Sequence, residues 1–87
     1  MLAPFSEAAA KLHFGIYEHY KGNRYEVLGI GRHSETHKEM VIYRGLYGTN
    51  DFWIRPLDSF LESVEWEGQT VPRFKKISES ILNSDNS

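Results

Sequence analysis

The chain has 87 residues, no cysteine, 14% aromatic residues and a formal net charge of −2. This length holds one domain with a small core, and the lack of cysteine excludes disulfides and thiolate chemistry and suits a reducing compartment, so a cytoplasmic location is expected. No run approaches the roughly 20 consecutive apolar residues that span a bilayer, residues 1–10 lack the basic and continuously apolar regions of a signal peptide, and the near-balanced charge gives no global field for nucleic acid.

Residues 4–11 read as a short helix. Ser6 suits its N-cap, the run Glu7-Ala8-Ala9-Ala10-Lys11-Leu12 favours helix, and Gly15 ends it. A weak apolar face leaves this helix to fray or to pack on the side of the domain. Residues 15–20 and 25–30 then form two strands around the turn Lys21-Gly22-Asn23-Arg24, where Gly and Asn tolerate positive φ. Gly29 and Gly31 predict a bulge or sharp bend in the second strand.

The polar segment 32–38 connects to the strongest strand, residues 39–47. Met40, Ile42 and Leu46 alternate with Val41, Tyr43, Gly45 and Tyr47, so both faces carry bulk and the strand is expected to be central. The periodicity assigns Met40, Ile42 and Leu46 to a packed face. It leaves Tyr43 and Tyr47 on the other. A turn at 48–51 leads to the strand Phe52-Trp53-Ile54-Arg55. Pro56 stops that ladder and suits the first position of a helical turn over residues 56–61, with Leu57, Phe60, Leu61 and Val64 at helical spacing. Residues 64–66 alternate like a strand, Glu67-Gly68-Gln69 turns the chain, and residues 70–77 make a last strand that Pro72 marks as an edge. The tail 78–87 is polar. The expected class is mainly β: a small barrel of five or six strands, because closure removes exposed edges.

Several segments in this order carry a resemblance: Gly15-Ile16-Tyr17, Tyr20-Lys21-Gly22-Asn23, Tyr25-Glu26-Val27-Leu28-Gly29, Arg32-His33-Ser34-Glu35-Thr36, Tyr43-Arg44-Gly45-Leu46-Tyr47-Gly48, Trp53-Ile54-Arg55-Pro56-Leu57, Phe60 and Pro72-Arg73-Phe74. Over residues 14–77 the chain resembles the family catalogued as domain of unknown function 1653, small bacterial proteins or modules. The resemblance implies an SH3-like β-barrel over 14–77, flanked by an N-terminal extension (1–13) and a polar tail (78–87). It supplies no activity.

Four groups are candidates for chemistry. The connection Arg32-His33-Ser34-Glu35-Thr36-His37 brings imidazole, hydroxyl and carboxylate together, as a ligand loop or as a turn whose side chains bond the local backbone. His33 and His37 have metal-compatible spacing but lie in a turn without a recognised carboxylate pattern, so no metal or other cofactor is expected. Tyr43, Tyr47 and Trp53 make either a shallow aromatic platform for a peptide or a core cluster. Arg44, on an otherwise apolar face, needs a carboxylate such as Glu26 or Glu35, or an anionic ligand shared with Arg55. Arg73-Phe74-Lys75-Lys76 interleaves basic and aromatic residues, as a nucleic-acid contact or a solvated strand face. Serines, histidines and aspartates are present, but no nucleophile elbow or phosphate loop accompanies them.

The leading expectation is a non-enzymatic module that binds a peptide or protein partner through Tyr43, Tyr47, Trp53, Arg44 and Arg55, with His33 and Glu35 nearby. The runner-up is a nucleic-acid-associated domain using Arg24, Arg32, Arg73, Lys75 and Lys76. A third reading is a small enzyme or metal-binding protein centred on His33. No membrane partner is expected.

Overall fold

The structure, a computed structural model, describes residues 3–79. The N-terminal helix forms as α1 (Glu7–Lys11), capped by Ser6, whose Oγ accepts a hydrogen bond from the Ala9 N–H at 3.2 Å. Ser6 also donates from both its N–H and its hydroxyl to the Glu39 carboxylate, each at 2.6 Å, and Ala9 is buried. The cap therefore serves twice: it ends the helix and moors it to the first residue of a strand 33 positions away. Those two donors hold the Glu39 carboxyl below the usual carboxylate range.

Among the described residues seven strands follow: β1 (Gly15–His19), β2 (Arg24–Arg32), β3 (Glu39–Gly45), β4 (Phe52–Pro56), β5 (Ser63–Trp66), β6 (Gln69–Pro72) and β7 (Phe74–Ser78), with the one-turn helix α2 (Leu57–Phe60) after β4. Five strands form one antiparallel sheet in the order β4-β3-β2-β1-β7, and β5 pairs with β6 as a separate hairpin. Two features correct the expected barrel of five or six strands. Among the described residues the ladder does not close, because β4 and β7 are opposite edges of the sheet. The expected last strand is also two strands. At Arg73 the N–H donates to the Glu62 carbonyl and the carbonyl accepts from Tyr20 N–H, so the chain leaves β5 and crosses to β1. The expected bulge is present, between Val27 and Gly29, and a second lies between Ile16 and Tyr17. From residue 80 onward the polar tail lies outside the described residues.

The register decides which face is covered. Tyr17 opposes Tyr25, Val27 opposes Tyr43, Ile30 opposes Val41, and His19 opposes Phe74, and residues directly opposite share a face. That face is the core, where Val41 and Phe60 are fully buried and Tyr43 is 4% exposed. Phe60 of α2 stacks on Phe74 at 4.3 Å between ring centroids, while Tyr17 and Tyr43 meet it edge-on at 5.3 and 5.6 Å. The expected packed face is thereby inverted. Met40 and Ile42 lie half-buried on the opposite face, and Leu46 falls beyond the end of β3.

Gly15, expected to end the helix and to open the first strand, is fixed by the sheet itself. Its φ is +144°, and a Cβ there would sit 2.6 Å from the Ser78 carbonyl oxygen, so only glycine lets β7 approach β1 this closely.

Phe60→Ala removes the ring that joins α2 to three strands. It is expected to lose about 3–5 kcal/mol, a large share of the roughly 5–15 kcal/mol typical of a domain. Urea unfolding followed by fluorescence checks this, and Leu61→Ala, at an exposed position beside it, should move the midpoint far less.

Candidate functional site

The sequence candidates divide between the two faces of the β3–β4 pair and the β2–β3 connection, and on the core face Trp53 lies directly opposite Tyr43. The Tyr43 ring is core, and its hydroxyl accepts a hydrogen bond from Arg55 Nε at 3.2 Å. Arg55, next but one to Trp53 on β4 and so on the same face, also donates from Nη1 to Ser59 Oγ at 3.1 Å, with its guanidinium carbon 5.8 Å from the Phe74 ring centre. Among the described residues no carboxylate pairs with Arg55. Trp53 and Tyr47 are 47% and 42% exposed and line a small cavity with Gly48, Thr49 and Asp51, of about 140 Å³. The Tyr47 hydroxyl shares a 2.8 Å hydrogen bond with that of Tyr25. Burial and this bond push the Tyr25 phenol up to about 12, so Tyr25 stays protonated at neutral pH.

Arg44 does not join this group. It faces the other side of the sheet, directly across from Glu26, and donates to Glu26 Oε1 from Nη2 at 2.9 Å and from Nε at 3.2 Å. Glu26 is buried, so the guanidinium supplies the partner that a carboxylate there requires. His33 and Glu35 lie elsewhere again, in the β2–β3 connection. The His33 Nδ1 accepts from the Glu35 and Thr36 N–H groups at 3.1 and 3.3 Å, so the imidazole ties down its own turn. Lys38 N–H bonds to Thr36 Oγ1, and His37 adopts φ 64° there.

The basic residues are dispersed and mostly engaged. Arg24 pairs with Glu18, Arg73 with Glu62 and Lys76 with Glu79, and Arg32 lies over the Phe5 ring and donates to the Ala3 carbonyl. Lys75 is exposed.

A second aromatic group escaped the sequence reading. Tyr20 meets Trp66 edge-on at 5.1 Å and stacks on His19 at 4.4 Å, beside a cavity of about 320 Å³ that Val71 and Pro72 also line. The turns at Gly22 and Gly68 mark where Tyr20 and Trp66 lie, just after β1 and at the end of β5, but these strands belong to different sheets, and no local pattern pairs the two rings. His19 itself is drawn toward the neutral form by burial and by Arg55, Arg73 and Lys21. Its Nδ1 accepts the Lys21 N–H at 3.1 Å, which requires that nitrogen to be unprotonated.

The family model described as "Protein of unknown function (DUF1653)" matches residues 15–76. A crystal structure of a DUF1653 protein from Bordetella bronchiseptica is similar at 32% identity, with a TM-score of 0.76 over 82% of this chain and 94% of that one. No curated protein matches the chain.

The His19 environment has a pH consequence. Its folded-state pKa is depressed below 6.5, so the unfolded chain binds the extra proton first as the solution is acidified. Stability is therefore expected to be level above about pH 7 and to fall as pH drops through 6.5. Thermal melts across pH 5–8 check it, and His19→Asn should flatten the slope in that window.

Proposed function

The chain belongs to the DUF1653 family, and for this member we propose a non-enzymatic binding module that recognises a peptide or protein partner through Tyr47, Trp53 and Arg55 along the edge of β4. The observation that carries the reading is the half-exposed Trp53 beside an arginine that no described carboxylate neutralises. A large ring kept at the surface loses burial that the core would reward, and a guanidinium held by two neutral hydroxyls keeps its charge for an incoming acid. β4 supplies the third element, a strand edge that can hydrogen-bond an extended chain. Tyr43 contributes from below, by orienting Arg55. Arg44, His33 and Glu35 have internal or distant roles and fall outside the surface.

The two bulged ladders increase local twist and bend the sheet over its core face. Together with the helical turn after β4, that bend supports an SH3-like reading of the architecture. A nucleic-acid role has less support, because four of its five candidate cations, Arg24, Arg32, Arg73 and Lys76, are engaged within the chain.

A library of extended peptides, with and without acidic residues, screened by amide chemical-shift mapping tests this directly. Binders should perturb residues 47–55, prefer acidic members, and weaken at least about tenfold with Trp53→Ala, in line with aromatic anchors elsewhere. Trp53→Ala itself should leave the far-ultraviolet circular dichroism spectrum unchanged, so that lost binding is not lost folding. Perturbations confined to Tyr20 and Trp66, or binding indifferent to Trp53, would overturn the assignment.

A further inference from the structure

The β4 edge is self-complementary in hydrogen bonding and in charge. Asp51 closes the ladder with β3, its carbonyl accepting from Gly45 N–H at 2.9 Å. Hydrogen-bonded and non-hydrogen-bonded pairs alternate along an antiparallel ladder. The backbone groups of Asp51, Trp53 and Arg55 therefore turn toward β3, and those of Phe52 and Ile54 turn outward, to the free edge. These two outward positions are also the most exposed large apolar side chains of the described residues, at 69% and 65%. A flat apolar edge of this kind is a liability unless something covers it.

We propose that the partner covering this edge is a second copy of the chain, paired antiparallel about a two-fold axis through Trp53; the proposal rests on the reading of β4 as the binding surface. In this register Phe52 of one copy opposes Ile54 of the other, and both have outward N–H and C=O groups, so each such pair exchanges two hydrogen bonds. Trp53 opposes its own counterpart at a close, non-hydrogen-bonded pair. Asp51 opposes Arg55 of the other copy, twice by symmetry, and supplies the carboxylate that Arg55 lacks among the described residues of its own chain. Shifting the register by two residues in either direction keeps the hydrogen bonding and loses the Asp51–Arg55 match. Pro56 has no N–H and leads into α2, while the 48–50 turn precedes β4, so pairing stops after five residues. The result joins two five-stranded sheets into one and brings the two Phe52–Ile54 patches together beside Met40 and Ile42.

Sedimentation equilibrium across a concentration series tests it. The wild-type chain should form dimers, and Ile54→Pro should remain folded, because the N–H it removes faces outward, yet stay monomeric. Asp51→Lys should weaken dimerisation at least about tenfold, since opposite charges become like charges at two symmetric places. Mixing Asp51→Lys with Arg55→Glu chains should restore a heterodimer, in which both cross-strand pairs are again of opposite sign. A wild-type chain that stays monomeric throughout, or a dimer that Ile54→Pro leaves intact, overturns the proposal. A monomer that still binds acidic peptides at Trp53 would sink the dimer alone and leave the binding module standing.

Discussion

The stack of Phe60 on Phe74, with centroids 4.3 Å apart and planes within 9°, is the contact on which the rest of this small fold depends. Phe60 lies on a single helical turn and Phe74 starts the strand that crosses to β1, so neither element has enough local structure to hold itself. Joined, they form a lid over Val41 and Tyr43, and the edge contacts from Tyr17 and Tyr43 set the lid's position. An aromatic pair of this kind adds about 0.5–1.5 kcal/mol beyond its area burial. Its larger effect is topological, because it brings residues 14 apart in the chain over one face of one sheet.

Once that face is covered, the other one must be made tolerable in water. The Glu26–Arg44 pair lies in a row with Ile16 on β1 and Phe52 on β4. A carboxylate 8% exposed is stable there only because the guanidinium answers it from the directly opposite position. Removing either partner would strand the other, whereas an apolar pair in their place would widen an already exposed apolar strip. The ion pair thus separates Ile16 from Phe52 and limits the open patch to the β4 side.

Much of this was legible in the chain. Ser6 as cap, the Gly22 and Gly48 turns, the bulge before Gly29, the helical turn at Pro56 and the need of Arg44 for a carboxylate each follow from local chemistry. The choice of face was not, because Met40 and Ile42 on one side of β3 match Val41 and Tyr43 on the other in bulk. What decides between them is Phe60 and Phe74, 17 and 31 residues beyond Tyr43, and alternation within a strand has no information about them. The break at Arg73 was hidden for a related reason. Thr70 to Ile77 has uniform strand character, and only two long-range backbone hydrogen bonds, to Glu62 and Tyr20, divide it. Closure of the sheet likewise depends on how two distant edges meet, which no local pattern encodes.

Arg55 connects the core to the proposed surface. Its Nε and Nη1 are spent on the Tyr43 and Ser59 hydroxyls, and Ser59 also offers its carbonyl to Arg73 Nε. Two guanidinium groups therefore converge on one residue of α2, in a chain whose overall charge is negative. Hydroxyls and carbonyls orient these cations without neutralising them, and at His19 burial first, then the charges of Arg55 and Arg73, disfavour protonation. Arg73 has Glu62 as counter-charge, whereas Arg55 has none among the described residues. The local excess of positive charge lies at the edge where Trp53 is exposed, so an acidic group arriving along β4 would meet an arginine already held in place, with little of its rotamer freedom left to lose.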